Sequence, residues 1–178
     1  KNHRYLLDAF ELLWESQPDL KLCLVGRIGS RCDEIVQRIT QHPLLGKNLF
    51  LFNDLSDAEL HHCYNGARGV IFPSIVEGFG LPIVESLWFG KKTFVSDTSI
   101  HREVGGDDCC YFGLDHPTSL VDELLAWEKE FAAGSTPPRR ERPLTTWSQC
   151  TCQVFEHCEQ AAAERVVAQT TLSLPRAA

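Results

Sequence analysis

Short apolar runs alternate with segments of helical spacing along most of this chain, and this alternation constrains the fold more than any other feature. The runs at 21–26, 48–53, 69–74 and 92–97 have the composition of β-strands, and 109–113 is a further candidate. Near-continuous apolar strands are typical of parallel sheets that are covered on both faces. Strands separated by helices then predict an α/β fold, a doubly wound Rossmann-like parallel sheet that binds ligands at the carboxyl ends of its strands.

The predicted helices carry recognisable start, stop and packing signals. Ser56 and Glu59 form a capping box, in which each side chain bonds the other residue's backbone amide. Pro82 suits a first helical position and Gly90 a helix stop. Apolar residues of the first helix recur at helical spacing: Leu6, Phe10, Leu13 and Trp14.

Composition excludes some classes of function. The net charge of -7 argues against a protein that grips a nucleic-acid backbone, so no nucleic-acid partner is predicted. No apolar run approaches the length that spans a bilayer. A cytoplasmic location is therefore expected, with peripheral association at the inner face of a membrane left open.

Three segments differ in character along the chain. Residues 1–131 carry the strand–helix alternation, 132–144 form a Pro- and Arg-rich linker, and 145–178 are predicted as a C-terminal helix, to about 165, and a tail. The chain begins with Lys1 and contains no methionine. These two features predict a piece of a longer protein.

The eight cysteines do not predict a metal site or a disulfide framework. Neither the adjacent pair 109–110 nor the Cys-x-Cys at 150–152 has the spacing of common zinc sites. Cys23 and Cys63 fall in patterns that predict a buried strand and a helix. Reduced, structural thiols are expected.

The segment 74–90, SIVEGFGLPIVESLWFG, places two carboxylates in an otherwise apolar and glycine-rich run. Glu77 lies in a predicted loop after a strand, and Glu85 lies one turn inside the following helix. Gly78 and Gly80 allow a close backbone approach or positive φ. Free amides at a helix start, together with the helix dipole, form an anion site that suits phosphate.

Both carboxylates leave alternatives open. A carboxylate on an apolar helix must find hydrogen-bond donors, so Glu85 binds either ligand hydroxyls, such as those of a ribose, or an Arg or Lys. Glu77 either reaches a second polar group of the same ligand or is solvated. His101, after the strand at 92–97, is expected on an exposed loop, with a place in the cleft as the alternative.

The whole pattern is more specific than its parts. Glu77-Gly78-Phe79-Gly80-Leu81-Pro82 with Glu85 resembles the E-x7-E motif of GT-B fold glycosyltransferases of family 4, the retaining, nucleotide-sugar-dependent kind. The flanking FPS, FGKKTFVSD and HREVGGDDC segments are also similar to that family. The resemblance covers residues 1–160 and implies the C-terminal half of a GT-B fold.

The resemblance also implies roles for individual residues. Glu77 would approach the transferred sugar as the catalytic residue, Glu85 would bind the nucleotide ribose, and Lys1 would face the diphosphate. The implied main-chain donors to the nucleotide sugar are Gly78, Phe79, Gly80 and Leu81, and the loop implied to contact the base is Phe52, Asn53, Asp54 and Leu55.

The implied function is sugar transfer, for example of mannose or glucose, from a nucleoside-diphosphate sugar to a saccharide or lipid-linked acceptor in polysaccharide or glycolipid biosynthesis. The implied partner is an N-terminal acceptor-binding domain of the same full-length chain, without which the fragment is expected to be inactive. No cofactor or metal is expected, and the chain has no Asp-x-Asp pair. A degenerate, non-catalytic GT-B module and a nucleotide-sugar epimerase are the alternatives.

Overall fold

The computed structural model describes residues 1–29, 32–134 and 145–172, which fall in two compact units, Lys1–Arg140 and Glu141–Ala178. The first unit contains the sheets and most of the helices. Its helices are α1 (His3–Ser16), α2 (Asp33–Thr40), α3 (Asp57–Gly66), α4 (Leu81–Trp88), α5 (Ser99–Gly105) and α6 (Thr118–Ala132), and its strands are β1 (Leu22–Val25), β2 (Leu49–Phe52), β3 (Gly69–Phe72), β4 (Lys92–Ser96) and β5 (Cys110–Phe112). A 3-10 turn, Gly106–Asp108, precedes β5.

All strand pairs in the described residues are parallel. β1 pairs with β2, while β3, β4 and β5 form a second ladder in that order. Every strand that the apolar runs predict is present, with bounds one or two residues shorter, because ladder pairing stops before the apolar run does. The predicted Rossmann-like α/β fold is confirmed.

One main core joins both ladders. Helices α1 and α6 pack against each other over the strands, and the Trp14 indole donates to the Leu20 carbonyl at 2.8 Å. Burial of the apolar side chains in this core supplies the dominant favourable term in the free energy of folding. Its fully buried members include Leu7, Leu13, Leu49, Phe94, Phe112 and Leu120.

A second, smaller core lies beneath the segment that carries the two glutamates. Phe72 at the end of β3, Val95 in β4, and Ile83 and Leu87 in α4 pack together there. Ile83 and Leu87 lie four residues apart, so they occupy one face of the helix. This packing fixes α4 against β3 and β4.

Most of the predicted start and stop signals of the helices are confirmed. Ser56 and Glu59 form the predicted capping box, with the Glu59 carboxylate accepting from the Ser56 amide at 2.8 Å. Helix α4 begins at Leu81, so Pro82 falls one position later than predicted. Gly90 follows the helix with φ of 64°, which stops it as predicted.

Two side chains, Cys23 and His101, do not lie where the sequence places them. Cys23 is exposed, because side chains alternate across a strand and Leu22 and Leu24 take the core face of β1. Cys63 lies in α3 and is half-buried. His101 is not on an exposed loop: it lies in α5 and is fully buried. The expectations of a buried Cys23 and an exposed His101 were wrong, whereas the predicted helix at Cys63 is confirmed.

The second unit is described by its own helix, α7 (Trp147–Leu172). Thr146 caps this helix, accepting from the Gln149 amide at 3.3 Å. The helix continues past the predicted end at 165. From residue 135 to 144 the predicted linker lies outside the described residues, and the predicted segment bounds stay predictions.

Candidate functional site

The candidate site is built on the loop that joins β3 to α4. Ser74, just after β3, is fully buried, whereas Val76 is 83% exposed. The loop ends at Gly80, whose φ of 94° lies in the left-handed region that favours glycine. The loop therefore begins at the buried Ser74 and ends at Gly80, and its exposed middle part joins β3 to α4.

Glu77 on this loop pairs with Lys1. The Lys1 ammonium donates to Glu77 Oε1 at 2.5 Å and lies 5.0 Å from the centre of the Phe72 ring. The Glu77 side chain is 15% exposed and that of Lys1 is 56% exposed. Burial raises the pKa of Glu77, but the hydrogen bond from Lys1, then the interaction with Ser74 and the positive charge of Lys1, outweigh this effect and hold the pKa below its usual value.

Glu85, in the second turn of α4, pairs with a neutral group. The Tyr64 hydroxyl donates to Glu85 Oε2 at 2.8 Å. Tyr64 lies in α3 and is buried. Burial, and then the hydrogen bond to Glu85, raise the pKa of Tyr64. The phenol therefore keeps its proton and acts as the donor in this contact.

The helix that carries Glu85 is also tied to β4 by a buried polar contact. Ser86 Oγ lies 2.7 Å from Thr93 Oγ1, and Thr93 donates on to the Lys91 carbonyl at 2.9 Å. Both hydroxyls are fully buried and each has a partner, so neither carries the cost of an unmade hydrogen bond. Residue 85 therefore has a fixed backbone position.

The glycine loop itself presents backbone amides. In the described residues, no protein acceptor is present for the amides of Gly78, Phe79 and Gly80. The side chains of Phe79 and Leu81 are exposed. The space at Gly78 is open, and its φ is not positive, so only Gly80 uses the conformational freedom predicted for both glycines. These amides can bind an anion or a hydroxyl oxygen.

The predicted base-contacting loop follows β2. Phe52 is partly exposed and stacks on Phe50, and the Asn53 carboxamide accepts from the Ile28 amide at 2.9 Å. Asp54 pairs with Arg27 at 2.8 Å, while Leu55 is half-buried. Within the described residues, no hydrogen bond, ion pair or ring contact joins residues 52–55 to the Glu77 loop. The role of this loop stays a prediction.

Within the described residues, the structure supports neither of the alternatives that involve no ligand, an Arg or Lys partner for Glu85 and a solvated Glu77. Glu85 bonds no Arg or Lys in the described residues, and Glu77 is not simply solvated. The structure brings Lys1 and Glu77, two residues of the predicted site, into contact, and their predicted roles stay predictions. The sequence assigned no role to Tyr64. A tyrosine in a helix has no local signal for a contact with a carboxylate in the next helix, since that contact depends on how the helices pack.

Two further features bear on the chemistry of the site. In the part of the chain that the structure describes, no three His, Cys, Asp or Glu side chains are grouped as a metal site, and none of the helices combines the length and the hydropathy of a membrane span. The absence of a metal requirement stays a prediction. What the geometry offers is one carboxylate beside a cation, one carboxylate beside a phenol, and amides between them.

Comparisons with known proteins converge on one group. The family model described as "Glycosyl transferases group 1" matches residues 1–130. A serotype-specific mannosyltransferase WbdA of Escherichia coli is 30% identical over 149 residues, which cover 84% of this chain and 18% of that protein. O-antigen chain mannosyltransferase B of Escherichia coli is 35% identical over 166 residues, covering 87% of this chain and 42% of that protein.

A shorter match reaches a third relative. O-antigen chain mannosyltransferase RfbU of Salmonella typhimurium is 32% identical over 83 residues, covering 47% of this chain and 23% of that protein. The chain therefore spans less than half the length of each of these three relatives.

Proposed function

The chain belongs to the glycosyl transferases group 1 family, and from that premise we propose that it is the donor-binding domain of a retaining glycosyltransferase. The donor is a nucleoside-diphosphate sugar. Glu85 binds its ribose, the amides of the glycine loop bind the phosphate and sugar, and Glu77 faces the transferred sugar. The observation that carries the proposal is the pair of carboxylates beside a glycine loop, with Glu77 bonded to Lys1 and Glu85 bonded to Tyr64.

The chemistry requires stabilisation of a leaving group. Transfer of the sugar releases a nucleoside diphosphate, whose negative charge develops as the bond to the sugar breaks. Lys1 has three N–H donors, and the contact with Glu77 uses one of them. The remaining donors, with the amides of Gly78 and Phe79, would stabilise the diphosphate electrostatically. We propose that this stabilisation needs no metal ion.

The names of the relatives narrow the proposal. All three are mannosyltransferases, and two are named for the O-antigen chain. We therefore propose mannose as the transferred sugar and a surface polysaccharide as the product. Acceptor binding is assigned to another domain of the full-length protein, which works on the cytoplasmic side, in association with the membrane surface.

The proposal predicts that nucleoside diphosphates stabilise the full-length protein and that Glu85 is needed for this effect. At a ligand concentration one hundred times Kd, binding contributes about 2.7 kcal/mol and raises the Tm. A thermal-shift panel of UDP, GDP and ADP, each with its sugar derivative, measures this. Glu85→Ala should abolish the shift, because the ribose loses its acceptor. Glu34→Ala, which removes an exposed carboxylate paired with Arg4, is the matched control and should keep it.

Catalysis is tested separately from binding. Glu77→Gln should retain the shift with nucleoside diphosphate while losing transfer of radiolabelled mannose. If no nucleotide of the panel shifts the Tm, the donor-binding proposal fails. If donor binds but the wild-type protein transfers no sugar and Glu77→Gln changes nothing, the domain is a non-catalytic module.

A further inference from the structure

Tyr64 contacts Glu85 in helix α4 and Phe89, the residue that caps the end of this helix one turn later. Its hydroxyl donates to Glu85 at 2.8 Å, and its ring stacks on Phe89 with centroids 4.9 Å apart and an interplanar angle of 5°. The His61 ring packs against the edge of the same Phe89 at 5.3 Å. Because residues four apart share a helix face, Tyr64 fixes its own ring on α4 while its hydroxyl reaches the carboxylate.

The nature of the partner matters for ligand binding. An Arg or Lys beside Glu85 would neutralise its charge and occupy its acceptor sites. A phenol is neutral and has a single proton to donate, whereas an ionised carboxylate has about four lone-pair directions. Tyr64 therefore orients the carboxylate and leaves most of its acceptor capacity for other donors. Hydrogen bonds to an ionised acceptor are roughly twice as strong as those between neutral groups.

Burial makes this orientation effective. Tyr64 is buried, and the carboxylate that it contacts is half-buried, so water competes weakly for the hydroxyl. Burial and Glu85 both raise the pKa of Tyr64, which keeps the donor protonated across the physiological pH range. The Glu85 side chain then binds a ligand without first losing much rotational freedom, which is the benefit of preorganisation.

We propose that Tyr64 is a positioning residue that holds the Glu85 carboxylate for the two hydroxyls of a ribose, and that it thereby sets the preference for ribonucleotides over deoxyribonucleotides. The proposal rests on the proposed function, in which Glu85 is the ribose acceptor. Tyr64 itself does not touch the ligand.

The test uses the full-length protein and isothermal titration calorimetry. The ligands are the nucleoside diphosphate that binds best and its 2′-deoxy and 3′-deoxy analogues. The wild-type protein should bind the ribonucleotide about tenfold or more tightly than either analogue. Tyr64→Phe keeps the ring and its stacking on Phe89 but removes the hydroxyl. This variant should bind the ribonucleotide about three- to tenfold more weakly than the wild type and bind the two analogues almost as tightly as the wild type does. The preference for ribose over deoxyribose then shrinks.

Tyr5→Phe is the matched control. The Tyr5 hydroxyl donates to the carbonyls of Gly113 at 2.7 Å and His116 at 3.1 Å, and its ring stacks on Phe112, so its contacts do not involve Glu85 or Phe89. This variant should keep the wild-type preference for ribose. It shows what the loss of a buried tyrosine hydroxyl does when Glu85 is not involved.

The outcomes separate the two proposals. If the wild-type protein binds no nucleoside diphosphate, the proposed function is wrong. If it binds and prefers ribose, but Tyr64→Phe keeps the same preference, the positioning role is wrong while the function stands. An equal loss for all three ligands in Tyr64→Phe also overturns the positioning role, because a structural defect would not distinguish ribose from deoxyribose.

Discussion

The two glutamates of the candidate site are held by different kinds of structure. Glu77 lies on an exposed loop, and its side-chain partner on the chain is the half-exposed ammonium of Lys1. Glu85 lies on a helix whose other face is buried through Ile83 and Leu87, and its partner is the buried phenol of Tyr64. One carboxylate is placed by a charge and the other by packing, so they should respond to different perturbations.

The difference has a functional consequence. The Lys1 side of the ion pair is more than half exposed and is screened by salt, so Lys1 can exchange its contact with Glu77 for one with a ligand at low cost. A buried hydrogen bond to a carboxylate is harder to replace. The loop side is therefore suited to the reacting part of a ligand, and the helix side to a part that stays fixed.

The largest loss in the free energy of unfolding is expected for the core beneath helix α4. Ile83→Ala removes a fully buried side chain beneath α4 and should reduce the free energy of unfolding by about 2–5 kcal/mol. Val76→Ala, on the 83% exposed loop position, should change it by about 0.5 kcal/mol or less. Chemical denaturation of the two variants measures the contrast. Equal losses would mean that the loop is as dependent on packing as the helix.

An intermediate loss in the free energy of unfolding is expected at Gly80, where the loop joins helix α4. Gly80→Ala forces a residue with a side chain into φ of 94°, and its Cβ would lie 3.1 Å from Ile83 Cδ1. The left-handed conformation costs roughly 1–2 kcal/mol for a non-glycine residue. Gly78→Ala is the control, since its Cβ would meet open space and its φ is not positive. Similar denaturation midpoints for both variants would show that the backbone relaxes at residue 80.

The smallest loss in the free energy of unfolding is expected for the ion pair between Lys1 and Glu77. Lys1→Met removes the ion pair with Glu77, and because Lys1 is more than half exposed the loss should be only about 0.2–1 kcal/mol at low salt. The pKa of Glu77 is lower in the folded state than its ordinary 4.5, so this stabilisation is full above about pH 4.5 and is lost as the pH falls through the folded value.

Denaturation of the wild type and Lys1→Met as a function of pH and salt measures this charge effect. Their difference should shrink below pH 4.5 and at 1 M salt. Arg4→Met, which removes the more exposed pair with Glu34, is the control and should lose less. A difference that grows on acidification would contradict the assigned direction of the Glu77 pKa.

The sequence by itself determined the features that depend on neighbouring residues. The apolar runs gave the strands, Ser56 and Glu59 gave a helix start, and the glycine-bounded segment gave a strand–loop–helix unit with two carboxylates. Each of these follows from the local backbone preferences and hydrogen bonds of a few residues. The resemblance to the family rests mainly on the same segment, and the family model matches the wider range of residues 1–130.

The tertiary structure alone decided which partners those carboxylates have. Lys1 and Glu77 are 76 residues apart and Tyr64 and Glu85 are 21 apart, so no local rule joins them. The same holds for His101, whose burial depends on β4 and Phe72 packing around α5. Local sequence sets the backbone conformation of each element, but the contacts between elements arise only when their apolar faces pack into a common core.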